Sequence, residues 1–282
     1  MKAIRIIRIQ FMSLRYFIFA CCGLFLGGPS IFADLENVVD GEQDTLFHVA
    51  ALEGHVFIIK QLIESGADVD VEDGRGLTPL YYAIEGERME VVRLLLSAGA
   101  SLDAWGSHRA GHNYRPKDVG TDCESLFHAV VRDGNVRMFR LLMEEAVDLD
   151  LEMRDSKQCT PLHIAALMGR VTMMQALLTA GANPHAEDIA GRLPLHYAAS
   201  SSSPQGIMRL LDAGVDVNIQ ESWGMGPTPL EIAMGALECG NVCLLKEAGG
   251  RIRDNDMTSK KVKELCTCLT PGRYMKRYRD EL

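Results

Sequence analysis

Thr160-Pro161-Leu162-His163-Ile164-Ala165-Ala166 is a stretch that this chain repeats. Thr-Pro-Leu returns as Thr78-Pro79-Leu80 and as Thr228-Pro229-Leu230. Degenerate copies stand at Thr45-Leu46-Phe47-His48, Ser125-Leu126-Phe127-His128 and Leu193-Pro194-Leu195-His196. Counted from the Thr position, the copies begin at 45, 78, 125, 160, 193 and 228, in steps of 33, 47, 35, 33 and 35 residues. A short fixed period of this kind marks a stacked array, because a unit that small cannot bury its apolar face alone and must cover it with a neighbour.

The rest of each unit repeats as well. Seventeen residues after each Thr position comes an apolar pair: Leu62-Ile63, Leu95-Leu96, Leu142-Met143, Leu177-Leu178 and Leu210-Leu211, with Leu245-Lys246 in the last copy. Four residues after the first member of each pair stands a small residue: Gly66, Gly99, Ala146, Gly181, Gly214 and Gly249. Such positions suit a helix C-terminus, where the chain turns into the left-handed region. Val171, Met174, Leu177 and Leu178 recur at helical spacing. Pro in the second motif position fits the first residue of a helix, where no N–H is needed. Each unit therefore reads as helix, tight turn, helix and connecting loop.

This pattern resembles the ankyrin repeat over about residues 40–250. The resemblance implies an all-α solenoid of stacked helix–turn–helix units with finger loops. Six repeats are expected, at about 40–73, 74–103, 120–154, 155–187, 188–221 and 222–250, with an inserted loop at 104–122. It also implies a structural role for the motif residues Thr78, Pro79, Thr160, Pro161, Thr228 and Pro229. The same holds for the fourth-position histidines His48, His128, His163 and His196, which in such repeats bond backbone and neighbouring motifs. Tyr81 and Glu231 take that place in the other two copies.

Departures from the pattern carry their own expectations. Ala146-Val147 replaces Gly-Ala and stiffens the exit of the third unit. Ser203 is placed to cap a helix begun by Pro204. Val262, Leu265, Cys266 and Leu269 share one face of a helix expected within 251–271, capped by Thr258 or Ser259, which would cover the end of the stack. Residues 272–282 form a basic tail.

Residues 1–33 hold Lys2, Arg5, Arg8 and Arg15 and no acid, an apolar run Tyr16–Leu26, the break Gly27-Gly28-Pro29, and Ala33 before Asp34. This describes a cleaved secretory signal peptide. The alternative is an uncleaved anchor, since Tyr16–Ala33 is an uncharged run of 18 residues. The ending Arg279-Asp280-Glu281-Leu282 resembles a retrieval signal of the endoplasmic reticulum. The chain thus reads as exported: to the periplasm or outside the cell in a bacterium, or to the endoplasmic reticulum lumen in a eukaryote that reads this ending.

The formal charge is −9, and loss of the four leader cations would leave 25 basic against 38 acidic residues. That balance argues against nucleic acid and for a protein partner with a basic or mixed surface; a membrane enters only if the leader stays. Outside the leader, Cys123, Cys159, Cys239, Cys243, Cys266 and Cys268 form no regular framework. Cys123 and Cys159 occupy near-equivalent places in adjacent units, about a helix diameter apart, too far for a relaxed bridge. Cys239 and Cys243 read as packed thiols, and Cys266-x-Cys268 is too isolated for a metal knuckle.

The insertion holds Trp105, His108, Arg109, His112, Tyr114, Arg115 and Lys117. Long loops are often functional, and Trp, Tyr and Arg dominate binding hot spots. It reads either as a partner-binding loop or as a segment folded back on the acidic stack. Zinc on His108, His112 and Cys123 is disfavoured by Gly106 and Gly111, which break the helix that His-x-x-x-His needs. No nucleophile–base pair, phosphate loop or paired carboxylate motif is present, so neither catalysis nor a cofactor is called for. The expected function is non-enzymatic recognition of a protein. Its candidate contacts are the fingertip residues Arg75, Arg154, Lys157, Arg192 and Trp223 with Trp105, Arg109 and Tyr114. Within that class the chain reads as an accessory factor that protects an enzyme or as a host-directed effector; a metal-dependent activity through the insertion comes last.

Overall fold

The computed structural model describes residues 46–102, 125–145, 149–224 and 226–252. The expected leader, insertion, capping helix and tail lie outside the described residues, and Trp105, Arg109 and Tyr114 with them. Paired helices follow one another: α1 (Leu46–Glu53) and α2 (Val56–Glu64), α3 (Pro79–Glu85) and α4 (Met89–Ser97), α5 (Leu126–Asp133) and α6 (Val136–Glu145). They continue as α7 (Pro161–Leu167) and α8 (Val171–Ala180), then α9 (Pro194–Ser200) and α10 (Pro204–Asp212). A single turn, α11 (Glu221–Gly224), precedes α12 (Pro229–Gly235) and α13 (Cys239–Glu247).

Local chemistry sets the boundaries. Pro79, Pro161, Pro194 and Pro229 each open a helix. The preceding residue is extended, as at Thr160 with φ −85° and ψ 165°, which is the conformation a following proline favours. Gly181 ends α8 at φ 101°, a left-handed angle that costs glycine little. Pro204 opens α10 as expected, but Ser203 differs from expectation: it stands at the N-cap with φ −128° and ψ 86°, and its hydroxyl makes no capping bond.

The first helices of the pairs form one layer and the second helices another. In the outer layer α2, α4, α6, α8, α10 and α13 pack in unbroken succession. In the inner layer α1 packs on α3, α5 on α7, α7 on α9 and α9 on α12, whereas the contact between α3 and α5 is thin. The core runs between the layers. Leu62, Leu95, Leu142, Leu177, Leu210 and Leu245, the first members of the apolar pairs, are all 0% exposed. This is a stacked ankyrin-type solenoid, all-helical throughout the described residues.

Histidines join successive units. The backbone N–H of Thr160 donates to Nδ1 of His163 (3.0 Å), as does its hydroxyl (2.8 Å). Nδ1 is therefore the acceptor, and Nε2–H donates to the carbonyl of Arg192 in the next finger (3.0 Å). His196 repeats the device with Leu193 N–H (2.9 Å) and the Ile219 carbonyl (3.2 Å). His128 reaches the Cys159 carbonyl (3.3 Å), and Nε2 of His48 lies 3.0 Å from the carbonyls of Val71 and Leu77. Glu231 keeps half of it, its carboxylate taking the Thr228 N–H at 2.9 Å. Replacing His163 by Ala leaves the buried Thr160 N–H without its imidazole acceptor, which costs about 1–3 kcal/mol, whereas the Arg192 carbonyl keeps the Asp188 N–H at 3.0 Å. Urea unfolding of His163→Ala should show a loss of about 1–3 kcal/mol, while an exposed change such as Gln175→Ala should cost under about 0.5 kcal/mol.

Candidate functional site

The junction between the second and third pairs differs from its neighbours in three ways, each traceable to a residue. Tyr81 stands where the first and third pairs have the joining histidines His48 and His128. Next comes the clasp over the turn between paired helices. Arg88 donates from Nε to the Leu52 carbonyl (2.9 Å), and Arg170 likewise to the Arg132 carbonyl (3.0 Å). Each packs against a glycine: a Cβ on Gly54 would lie 2.8 Å from Cδ of Arg88, and one on Gly134 would lie 3.0 Å from Cδ of Arg170. At the second turn that glycine is replaced by Glu87, at φ 54°, and the arginine by Asn135. Asn135 is too short to reach the equivalent carbonyl, that of Glu85, and bonds Oε1 of Glu87 at 3.2 Å instead. Third, residues 103–124 make the connection here longer than at the other junctions.

These changes leave a cleft of about 660 Å³ in the inner layer. Tyr81, Ile84, Leu126, Ala129 and Val130 give it apolar walls, and Glu85, Glu87, Asp133, Arg132 and Arg137 its charged rim. Arg132 is turned toward Asp133 (3.5 Å). The Glu85 carboxyl is held above the usual carboxylate range, first by partial burial and then by the Asp133 charge, with Arg75 opposing. Behind the cleft the outer layer stays closed: Arg93 of α4 bonds Glu145 of α6 and lies 3.5 Å from Glu144. The cleft is thus a mouth in one layer over an intact second layer.

The expected contact residues are spread along the fingers and do not converge. Arg75 donates from Nε to Asp73 (3.0 Å), reaches Tyr82, and its side chain is 33% exposed. Arg192 pairs with Asp188 (2.8 Å) and lies over the Tyr197 ring, 4.7 Å from its centroid. Arg154 donates to the carbonyls of Gln158 and Glu187, and the Lys157 backbone bonds both Asp155 and Ile189. The three arginine side chains and the Lys157 backbone thus bond within and between the fingers. Trp223 lies in α11, and its side chain is outside the described residues. Much of the inter-repeat acid is similarly engaged. Asp70 accepts from Ser101 N–H (3.0 Å) and Glu152 from Asn183 N–H (2.7 Å). Asp73 and Asp188 each order a finger turn and take a Tyr hydroxyl, from Tyr82 (2.8 Å) and Tyr197 (2.7 Å). Asp155 has Ile164 at that register, and its buried Oδ2 has no partner among the described residues.

Cys159 is a free, buried thiol, pushed up by burial. Cys239 and Cys243 correct the expectation of packed thiols: both are disulfide-bonded.

Among the described residues, two helix layers, hydrogen-bonded fingers and a cleft in the inner layer define a helical-repeat binding module. The chain belongs to the ankyrin repeat family. The model for "Ankyrin repeats (3 copies)" matches residues 16–104 and 110–188, and that for "Ankyrin repeats (many copies)" matches 177–233. The first match begins inside the stretch read above as a leader. Human "Transient receptor potential cation channel subfamily A member 1" is 29% identical over 215 residues, 74% of this chain and 18% of that protein. Mouse "B-cell lymphoma 3 protein homolog" is 31% identical over 189 residues, 64% of this chain and 39% of that protein. The chain therefore spans well under half of either relative. The solved ankyrin repeat domain of Bcl-3 superposes with a TM-score of 0.63 at 28% identity, over 79% of this chain and 98% of that one. Ankyrin repeats are protein–protein interaction modules, and the chain carries such a module.

The cleft residues Glu85, Glu87, Asp133 and Asn135 were not among the sequence candidates. The signal for them lay in aligning the copies, where Glu87 falls on Gly54 and Gly134 and Asn135 falls on Arg88 and Arg170.

Burial drives His163 and His196 down to about 4 from the ordinary 6.5, so both are neutral near pH 7 and act as bonding groups. The unfolded chain binds protons on them below pH 6.5 and the folded chain only near pH 4, so unfolding takes up protons between these values. Their contribution is complete above pH 6.5 and falls as pH drops through that window. Unfolding free energy measured from pH 7 to 4.5 should fall by up to about 1.4 kcal/mol per pH unit for each of the two, and His163→Ala should flatten the slope.

Proposed function

We propose that this protein is an exported, non-enzymatic binding module whose inner-layer cleft receives a basic side chain of a protein partner. The cleft itself carries the reading. At the two flanking junctions an arginine lies over the turn and donates to the last carbonyls of the preceding inner helix, at 2.9 and 3.0 Å. At the cleft that arginine is absent from the sequence, and Glu85 and Asp133 flank the equivalent position. A partner's Arg or Lys supplies what Asn135 does not, with its aliphatic stem on Ile84 and Val130 and its charge against the two carboxylates. The acidic balance of the chain favours the same class of partner and quickens encounter. Export is supported by the sequence of residues 1–33 and by the bonded state of Cys239 and Cys243, because stable disulfides belong to oxidising compartments.

Panning a random peptide library on the protein tests the site. The recovered peptides should carry Arg or Lys beside apolar residues. A Glu85→Gln/Asp133→Asn variant that melts normally should bind them several-fold more weakly, with the larger loss at low salt, because both carboxylates are exposed rim charges. Enrichment of peptides without a cation, or undiminished binding by the double variant, would remove the cleft from the account. N-terminal sequencing of the mature protein should read Asp34 first, and an intact leader would end the proposal of export by cleavage.

A further inference from the structure

We infer that Cys239 and Cys243 are joined to Cys266 and Cys268 by two disulfides, so that the segment following the last repeat is covalently docked on the open end of the stack. Cys239 and Cys243 are both disulfide-bonded and stand one turn apart in α13. They do not bond each other, because side chains four residues apart on a regular helix hold their Cβ atoms about 5–6 Å apart and a disulfide needs about 3.5–4.5 Å. Cys159 is a free thiol. Cys123 is two residues from Ser125, at the start of the third repeat. Two residues reach about 7 Å, while three repeats, at roughly one helix diameter each, separate that point from α13. Cys21 and Cys22 lie in the leader, and cleavage before Asp34, on the reading proposed above, removes them from the mature protein.

Cys266 and Cys268 remain, and chain length allows them. The described residues end at 252, and fourteen residues further on comes Cys266. Fourteen residues span up to about 46 Å, whereas α13 with its nine residues is about 14 Å long. The surface they would meet is the one an internal repeat covers with its successor. It carries Leu237, 60% exposed, beside half-buried Ile232. Two sulfurs on one helix face meet two on one short segment, and closing both bonds fixes its position as well as its presence. The chemistry balances with a disulfide-bearing oxidant. Four thiols give up four electrons and four protons, two S–S bonds form, and two equivalents of the oxidant are reduced to dithiols.

Trypsin digestion of the intact protein without reduction, followed by mass spectrometry, tests the pairing. Cleavage at Arg209, Lys246, Lys263 and Arg273 places Cys239 and Cys243 in one peptide, residues 210–246, and Cys266 and Cys268 in another, residues 264–273. The expected product is these two peptides as one species, four hydrogens lighter than their sum, separated by reductant. Linkage to peptides holding Cys21, Cys22 or Cys123, a loop closed within 210–246, or alkylation of Cys243 without reduction overturns the inference. A second readout guards against misfolded variants: reduction of the wild-type protein should lower Tm by several degrees. In Cys266→Ser/Cys268→Ser, Tm should already be lowered and respond no further to reductant. A wild-type Tm unaffected by reductant would deny the bonds any part in holding the end of the stack.

Discussion

A neutral imidazole, accepting from its own helix's first turn and donating to the next unit's finger, is the constraint on which this architecture rests. His163 is 0% exposed, so a proton on it would place a charge where no anion bonds it directly. Held neutral, it accepts the buried Thr160 N–H and adds a second donor to the Arg192 carbonyl, which also takes the Asp188 N–H, so one group in each of two successive repeats is tied to the same ring. Apolar packing between layers is permissive about register, because many apolar faces fit one another. The histidine bond is directional and fixes how far each unit is turned against the next. The finger aspartates do the same for the loops, with Asp188 drawing together the Arg192 and Ala190 amides, the Arg192 guanidinium and the Tyr197 hydroxyl.

Most of this was legible in the chain because each signal is local and recurs. Six copies of a helix-start motif, an apolar pair and a turn residue give the helix order and the buried leucines directly. What could not be read were features that depend on pairs of residues from different copies. Arg75 and Arg192, read as fingertip contacts, each pair with an aspartate of their own finger at close range, which the repeat pattern does not reveal. Ser203 sits in the right place to cap, yet at φ −128° and ψ 86° its hydroxyl makes no capping bond. The cleft arises from a coordinated loss, Gly to Glu87 and Arg to Asn135, with Tyr81 in the histidine position. No one of these is informative until the three are seen to meet at one junction.

Cysteines were the least legible part, for a physical reason. Bond formation depends on separation in space and on compartment, and spacing in sequence reports neither. Cys239 and Cys243 have the i, i+4 spacing of ordinary buried thiols, and they are bonded nonetheless. Cys159 is buried beside the Tyr197 hydroxyl, 3.4 Å away, and remains a thiol.

The thin contact between α3 and α5 also bears on how the array responds to load. Each unit touches only its neighbours, so cooperativity passes along the stack one interface at a time. An interface lacking its histidine bond and its arginine clasp transmits less of it, although the outer layer continues across with Arg93 bridging to Glu145. Among the described residues the softest joint of the stack therefore lies between α3 and α5, with the outer helices as its continuous edge.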